Sequence, residues 1–266
     1  MRGGRPRGRL ALPLGAAAAL FAILAAVPAA AVEVPDLYKA ETIVTGTGAA
    51  ERQRGFRETL AEVMVKASGD ASLLGSARLE SVLDHASDFV ASWEQEDRMK
   101  GIPIHDEQGT RDRPFYLRVV FDKAKVDGAL QALGLQPWSA DRPAVAVWLG
   151  VKDAVTSYVL TETSERGYGQ REALRLASRR RGVPIVLPRD GAGLPSYEVV
   201  ASGDLSRLRA ASAVMEADPI LSGTLVYDGE GHWVMDWSFA RGGAVRRWRY
   251  EHVTFDVALR GGIEGA

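Results

Sequence analysis

Residues 144–149 read Ala-Val-Ala-Val-Trp-Leu, an uninterrupted apolar run that decides how the second half of the chain folds. Alternating apolar and polar residues indicate a strand with one face exposed to solvent. A continuous run with β-branched residues is typical of a strand buried on both faces. Such strands occur in parallel sheets that helices cover on both sides. The sequence therefore predicts an open sheet with residues 144–149 at its centre.

The segments after this run supply the remaining parts of that sheet. A helix is predicted from about Gln170 to Arg180, followed by a short apolar strand over Val183–Leu187. Asp204 has the residue type of a helix N-cap. Turns rich in glycine separate three further strands and indicate hairpins. These strands are Ile220–Tyr227, His232–Phe239 and Val245–Tyr250. The predicted order is β-α-β-α-β-β-β, a mixed sheet followed by a terminal helix.

The first half has a different pattern, and it predicts a small α+β domain of order β-α-α-β-α. Period-two alternation over Leu37–Val44 predicts a strand, and helical spacing from Phe56 to Ala67 predicts a helix that Gly69 ends. A second helix is predicted with an apolar stripe from Leu79 to Trp93. The polar stretch Glu94–Arg113 is predicted to be a mobile surface loop. A strand over residues 115–121 and a short helix over residues 126–133 complete the domain.

The chain is therefore expected to contain two domains, residues 32–136 and 144–266. A polar linker with a proline near each end, residues 137–143, joins them. Both domains are large enough to bury a core. With both halves counted, the expected fold class is α+β to α/β.

Residues 1–31 predict a secretory signal peptide. Four arginines within the first nine residues precede an uncharged apolar segment over Leu10–Val27, and Pro28-Ala29-Ala30-Ala31 ends it with small residues. Cleavage is expected after Ala31, which places the mature chain in the periplasm. An uncleaved membrane anchor is the alternative, because eighteen residues are near the minimum for a span.

The cysteine content and net charge of the chain exclude several classes of function. The chain has 266 residues and no cysteine, which excludes disulfides, thiolate metal sites, a cysteine nucleophile and an acylated lipoprotein cysteine. The formal net charge is −1, and it becomes −5 when the four arginines of the signal peptide are removed. An acidic exported chain is a poor candidate for nucleic-acid binding, so we expect no nucleic-acid partner.

Several motifs together resemble a known family. They are RGFRETL (54–60), VKASG (65–69), LRVVFD (117–122), LQPW (135–138), RPAVAVWL (142–149) and ADPILSGT (217–224). The mature chain is similar to the exported proteobacterial family known as domain of unknown function 2066. That resemblance implies no reaction, cofactor or catalytic residue.

The second half also resembles, in architecture alone, envelope accessory domains such as the N-terminal domain of the Tol translocation protein and the curli-export lipoprotein group. Those domains are binding and assembly modules, so this resemblance implies an interaction role in the cell envelope. Architecture does not fix function.

No motif in the sequence predicts a catalytic, cofactor or metal site. Gly46-Thr47-Gly48 lies where a dinucleotide fingerprint would start, but Glu51 stands where the third glycine belongs, so a plain turn is expected. The acids Glu94, Glu96 and Asp97 are expected to form a hydrated surface at a helix end. The four histidines, His85, His105, His232 and His252, lack metalloprotease spacing.

One strand pair raises the question of a partner surface. Trp233, Met235, Trp237 and Phe239 share one side of a strand and are expected to face the core. If that side were exposed, it would be a site for an envelope protein. The next strand combines basic and aromatic residues, with Arg246, Trp248 and Tyr250 on one face and Val245, Arg247 and Arg249 on the other. The candidate partner surface is therefore Trp233, Trp237, Arg246, Trp248 and Tyr250.

These observations favour a periplasmic, non-enzymatic interaction or assembly module that binds an envelope protein and needs no cofactor or metal. Two other classes remain open. One is an envelope enzyme acting on a cell-wall or lipid-derived substrate, and the other is a small-molecule carrier. The carrier would use the crevice between the domains, and the enzyme would use either that crevice or the polar loop.

The terminal helix is expected to be weak. Asp256 could cap it, but Gly261 and Gly262 each lower helix stability by about 1 kcal/mol relative to alanine. We expect the chain to be incomplete or frayed at this end. The resemblance to the family 2066 implies a longer helix, rich in Ala and Leu, that would cover the second sheet. We therefore expect part of that sheet to remain uncovered and prone to association.

Overall fold

The computed structural model describes residues 31–101 and 113–266, so the predicted signal peptide lies outside the described residues except for Ala31. The elements of the first half are β1 (Ala31–Glu33), β2 (Lys39–Thr45), α1 (Ala49–Ser68), α2 (Ala77–Leu83), β3 (Val90–Asp97), β4 (Pro114–Phe121) and α3 (Lys123–Ala132). The remaining strands are β5 (Asp141–Pro143), β6 (Val145–Lys152), β7 (Ser157–Val159), β8 (Ile185–Val186), β9 (Ile220–Tyr227), β10 (Trp233–Arg241) and β11 (Ala244–Val253). The remaining helices are α4 (Tyr168–Arg181), α5 (Tyr197–Ser202), α6 (Leu205–Ser212) and α7 (Phe255–Gly265).

The first half forms an antiparallel sheet in the order β2-β4-β3, with α1 packed against one face. The alternation predicted for β2 is observed, because Ala40, Thr42 and Val44 are buried while the residues between them are exposed. The apolar side of α1, including Leu60 and Val63, closes the core over these strands. The mixed helix-and-sheet fold predicted from the sequence is confirmed.

The prediction of a second helix reaching Trp93 is wrong. α2 ends at Leu83, a 3-10 turn spans Ala86–Phe89, and the chain then enters β3. Val90 and Trp93 fit the helical spacing from Leu79, but the backbone of residues 90–97 pairs antiparallel with β4 instead. Residues 94–97 are thus a strand and not part of a mobile loop. Residues 102–112 of the predicted loop lie outside the described residues.

The second half forms a sheet in the order β11-β10-β9-β6-β7, with β8 beside β6. β6 is parallel to both β8 and β9, and residues 145–151 are all buried, as the apolar run predicts. The two hairpins that join β9, β10 and β11 are also confirmed. The Asp204 side chain caps α6 by accepting from the amides of Ser206 and Arg207.

Helices cover this second sheet on both faces. α4 and α7 pack on the face that carries Val147 and Trp237, and α5 and α6 pack on the face that carries Trp148. The Trp148 indole donates to the Ser212 hydroxyl at 2.8 Å, which fixes α6 over the sheet.

The glycines of the terminal helix α7, which weaken the helix by itself, allow it to pack closely on the sheet. A Cβ on Gly261, Gly262 or Gly265 would lie 2.4 Å from the ring of Tyr250, Trp237 or Trp248, respectively. The absence of side chains therefore lets α7 lie directly on these rings. Two indoles also bond the helix backbone, because Trp237 Nε1 donates to Ala258 O at 2.9 Å and Trp248 Nε1 to Gly261 O at 3.2 Å. The predicted cap is corrected as well, since Thr254 and not Asp256 occupies the N-cap and accepts from Val257 N.

The segment 137–143 is not a loose linker. It contains β5, which pairs with β1, and it places Arg142 in a fully buried position between the two halves. The Arg142 guanidinium donates to Lys66 O at 2.8 Å, Gly182 O at 2.6 Å and Ser139 O at 2.9 Å, and it lies over the Trp138 ring at 3.9 Å. Early proteolysis is therefore not expected in this segment.

Arg142 bonds carbonyls at the C-terminal ends of two helices, one from each half. Lys66 is in the last turn of α1, and Gly182 is the C-cap of α4. Helix C-termini carry unsatisfied carbonyls and partial negative charge, so a cation is favoured there. Burial lowers the pKa of Arg142 to about 10, and the group remains charged at neutral pH.

Gly262→Ala should destabilise the chain, although alanine is the better helix former. The new methyl group would overlap the Trp237 ring, and we expect the free energy of unfolding to fall by about 1–3 kcal/mol. Gly128→Ala is the matched control, because Gly128 is exposed within α3 and a Cβ there meets nothing within 4 Å. That control should gain about 0.5–1 kcal/mol. Urea denaturation measures both, and equal signs would contradict the packing described for α7.

Arg142→Gln should weaken the contact between the two halves and lower the free energy of unfolding. The carbonyls of Lys66 and Gly182 would lose their buried donor, which costs about 2–4 kcal/mol of unfolding free energy. Arg179→Gln, an exposed arginine at the end of α4, is the control and should change little. Denaturation gives the energies, and limited proteolysis should newly cut residues 137–143 in Arg142→Gln. Resistance equal to that of the wild type would refute the role given to Arg142.

Candidate functional site

A cleft of about 940 Å³ lies where the two halves meet. Elements of both halves line it, which agrees with the crevice expected between them. Its lining comprises Val32–Asp36 after the start of β1, Lys39–Glu41 of β2, Glu62 and Lys66 of α1, Ser92–Glu94 of β3, Arg118–Val120 of β4, and Leu176 with Ser178–Arg180 of α4. This volume is at the upper end of the range typical of ligand sites.

A chain of charges occupies one wall of this cleft. Lys66 Nζ donates to Lys39 O at 2.5 Å and lies 4.0 Å from the Glu62 carboxylate. The other carboxylate oxygen of Glu62 lies 3.8 Å from Arg180 Nε of α4. Glu62 therefore sits between a cation of its own helix and a cation of the second half.

Burial shifts the titration of both α1 groups toward their neutral forms. Desolvation raises the pKa of Glu62, although the charges of Lys66 and Arg180 oppose the shift. Desolvation also lowers the pKa of Lys66, opposed by Glu62. Perturbed groups in a cleft are typical of functional sites, and they are also found in structural ion pairs.

Apolar side chains from three separate elements also converge on the cleft. Val32 of β1, Trp93 of β3 and Leu176 of α4 line it, and each is between 43% and 45% exposed. The Trp93 ring is held by an edge contact with Phe56 at 6.1 Å and by Arg52 at 4.9 Å. The cleft thus presents oriented apolar groups beside a charged wall.

Sequence reasoning missed Arg142, Glu62 and Lys66. The spacing did contain a signal for one of them, because Lys66 falls between Val63 and Ala67 on the apolar side of α1. A lysine in that position has to find polar partners at the edge of the core. No comparable local signal marks Arg142, because Lys66 and Gly182, the partners that join the two halves, are distant in sequence.

The acids predicted at a helix end lie on a strand instead and are paired with arginines. Arg118 of β4 bonds Glu41 at 2.6 Å, Glu94 at 3.1 Å and Glu96 at 2.8 Å. These hydrogen bonds raise the pKa of Arg118. Asp97 pairs with Arg113 at 2.8 Å. Salt bridges of this kind form a fixed, charged sheet surface.

Glu51, which stands where the dinucleotide fingerprint requires a third glycine, bonds the residues on both sides of the turn over 46–48. Glu51 Oε2 accepts from Thr45 N at 3.1 Å and pairs with Arg54 at 2.9 Å. The Glu51 carboxylate therefore occupies the entrance to α1, where a dinucleotide site would need room for a pyrophosphate.

The candidate partner surface contains both buried and exposed side chains. Trp237 is buried in the core, and Trp233, Trp248 and Tyr250 are half-buried in the same cluster with α7. A partner cannot reach Trp237 in this fold. Arg246 is exposed and lies over the Trp248 ring at 5.3 Å.

Two of the histidines meet a carboxylate that sequence spacing did not associate with them. Asp228 Oδ2 lies 3.9 Å from Nδ1 of His232 and 3.5 Å from Nδ1 of His252. The other oxygen accepts from the amides of Glu230 and His232, and these bonds lower the pKa of Asp228. His85 precedes the 3-10 turn after α2, and His105 lies outside the described residues.

Two features of the described residues concern the requirements for a membrane-spanning helix and for a metal site. None of the helices in residues 31–101 and 113–266 combines the length and apolar character needed to cross a membrane. Over the same residues, no group of three or more His, Asp or Glu side chains is arranged to hold a metal ion.

The fold and cleft define an α+β protein with two larger sheets, a two-stranded sheet formed by β1 and β5, and a buried arginine between the halves. Comparison with family models finds one match, a domain of unknown function (DUF8605), over residues 31–139. The match spans the first half and its three-stranded sheet. It does not confirm the resemblance to the family 2066. No curated protein and no solved structure matches the chain.

Glu62→Gln should change how stability depends on pH. Because the pKa of Glu62 is raised above 4.5, its ordinary value, the stability it contributes is complete below that pH. That contribution is lost as pH rises through the raised pKa. The unfolding free energy of Glu62→Gln relative to wild type should therefore increase from about pH 4 toward neutrality.

Asp153→Asn is the control of opposite sign, because backbone hydrogen bonds lower the pKa of Asp153. Its deficit relative to wild type should already be complete above about pH 5. Urea denaturation at unit pH intervals measures both variants. A pH-independent difference for Glu62→Gln would show that Glu62 titrates normally.

Proposed function

We propose that this chain is a non-enzymatic interaction or assembly module of the bacterial cell envelope, and that the cleft between its halves receives a segment of a partner protein. The proposal includes export to the periplasm with cleavage after Ala31. The convergence of Val32, Trp93 and Leu176 on one cleft is the observation that carries it.

Exposed apolar side chains that cluster in a concave site favour a binding role. Scattered single apolar residues are common on protein surfaces, whereas a shared patch from three elements indicates a contact surface. The cleft is also larger than a single small side chain or ion requires. An extended protein segment would fill it, with apolar groups against Trp93 and Leu176 and polar groups toward the wall formed by Glu62 and Arg180.

The hydrogen bonds and ion pairs of the charged groups around the cleft favour binding of a partner over catalysis. Arg118 is bound by three carboxylates, and Lys66 donates to backbone carbonyls. Groups engaged in this way are poor proton donors or acceptors for a substrate, but they give the cleft a fixed charge pattern. Such a pattern selects among partners.

The basic, apolar and small-residue order of residues 1–31 supports the periplasmic location. The resemblance to the exported family 2066 supports export, and the resemblance to envelope accessory domains supports the interaction role. Both resemblances come from sequence pattern and architecture.

A small-molecule carrier or enzyme using the same cleft is the second candidate. The raised pKa of Glu62 and the lowered pKa of Lys66 favour it, because such shifts are typical of sites that handle protons or charged ligands. In that case the cleft would retain a small molecule instead of a protein segment.

Photo-crosslinking in the periplasm separates these candidates. A photoreactive residue at Leu176 should give one discrete protein adduct on a chain that begins at Val32. The same group at Val214, which is 88% exposed and does not line the cleft, should not give that adduct. The adduct should also be lost when Trp93→Asp is added. An apolar partner segment would then have to bury a carboxylate, which is unfavourable.

An adduct of equal yield from both positions, or a chain that retains Met1, would contradict the proposal. Native mass spectrometry of the purified chain tests the second candidate. A small molecule that is retained by the wild type and lost from Leu176→Asp would support a carrier.

A further inference from the structure

The second sheet has an uncovered polar face at one side. α5 and α6 cover β6 and β9 on this face but not β10 and β11. A pocket of about 340 Å³ lies at the border, between the end of α5 at Ala201–Gly203 and the polar side chains of the three strands β9, β10 and β11. This surface is separate from the cleft between the halves.

One row of side chains crosses these strands in register. Ser238 of β10 pairs with Ser222 of β9 on one side and with Arg247 of β11 on the other. Directly paired residues of an antiparallel sheet point to the same face, so all three side chains line the pocket. Ser222 is only 2% exposed, whereas Arg247 is exposed.

This row holds polar groups without partners. Within the residues that the structure describes, the side chains of Ser222, Ser238 and Arg247 make no hydrogen bond or ion pair. These groups border the pocket, where a ligand could reach them. The row therefore offers two hydroxyls and one guanidinium toward the same space.

The neighbouring row provides an internal contrast. Asp236 of β10 pairs with Arg249 of β11 at 3.2 Å, and Arg249 also bonds Glu251 at 2.6 Å. Arg249 is thus shared between two carboxylates. Of the two arginines that line the pocket, Arg247 is the one without a carboxylate partner among the described residues.

We propose that the row Ser222–Ser238–Arg247 binds a phosphoryl group. A guanidinium donates in a fork that matches phosphate oxygens, and hydroxyls complete the set. Neighbouring strands are about 4.8 Å apart, so the three residues span two such steps. A phosphoryl group can accept from all three donors at once because it has three terminal oxygens. A carboxylate has only two oxygens, so an arginine fork that engages both leaves no further oxygen for the serines.

Such a group occurs on free phosphate and small phosphate esters, and it also occurs in the headgroups of anionic lipids. Both sources share the chemistry that this row recognises. The site would act independently of the partner cleft, since its residues belong only to the second sheet.

The test is an NMR titration of the purified, ¹⁵N-labelled chain with inorganic phosphate at constant ionic strength. Saturable shifts should be largest at the amides of Ser222, Ser238 and Arg247. Arg247→Gln should weaken binding by roughly tenfold or more, because a charge-assisted hydrogen bond is lost. Arg246→Gln is the matched control, since Arg246 is adjacent in β11 but faces Trp248 on the opposite side. It should leave the affinity unchanged.

Flotation with phosphatidylglycerol vesicles distinguishes the two sources. Binding to vesicles that is lost in Arg247→Gln and retained in Arg246→Gln identifies a lipid headgroup, whereas phosphate binding without flotation identifies a free phosphate or phosphate ester. Linear shifts that do not saturate, equal losses in the two variants, or equal affinity for acetate would each overturn the proposal.

Discussion

The buried guanidinium of Arg142 is the interaction on which the arrangement of this chain depends. It donates to the C-terminal carbonyls of α1 and α4, which come from different halves, and to Ser139 of its own segment. The stacked Trp138 ring covers its face. Buried charge is costly unless hydrogen bonds compensate for it, so these carbonyls fix both helix ends at once. The relative position of the two sheets follows from that requirement.

The cleft is a consequence of the same junction. Lys66 contributes its carbonyl to Arg142 and its ammonium to the carbonyl of Lys39, so one residue connects the junction with β2 at the cleft wall. Glu62 lies one turn earlier on α1 and faces Arg180 of the second half. A site assembled from both halves exists only while the junction holds. Binding in the cleft would therefore stabilise the contact between the halves as well.

The sequence predicted those features that depend on interactions between residues close together in the chain. The apolar run at residues 144–149, the alternation in β2, the hairpin turns and the Asp204 cap all follow from neighbouring residues. β3 did not, because Val90 and Trp93 fit a helix equally well and the pairing partner lies beyond a long connection in β4. Arg142 did not either, since its carbonyl partners are 76 and 40 residues away. Trp237 faces the core, as the alternation of its strand predicts, and α7 covers it.

The glycine-lined contact of α7 also constrains the order in which this half of the molecule folds. A helix with three glycines has little tendency to form by itself, so it needs the rings of Tyr250, Trp237 and Trp248 as a template. Those rings belong to strands that precede it in the chain. The sheet must therefore assemble while α4 alone covers this face, and α7 then docks on the part at β10 and β11 that is still uncovered. Until then Met235 and Trp237 face solvent, which makes the interval before docking the period when this chain is most exposed to aggregation.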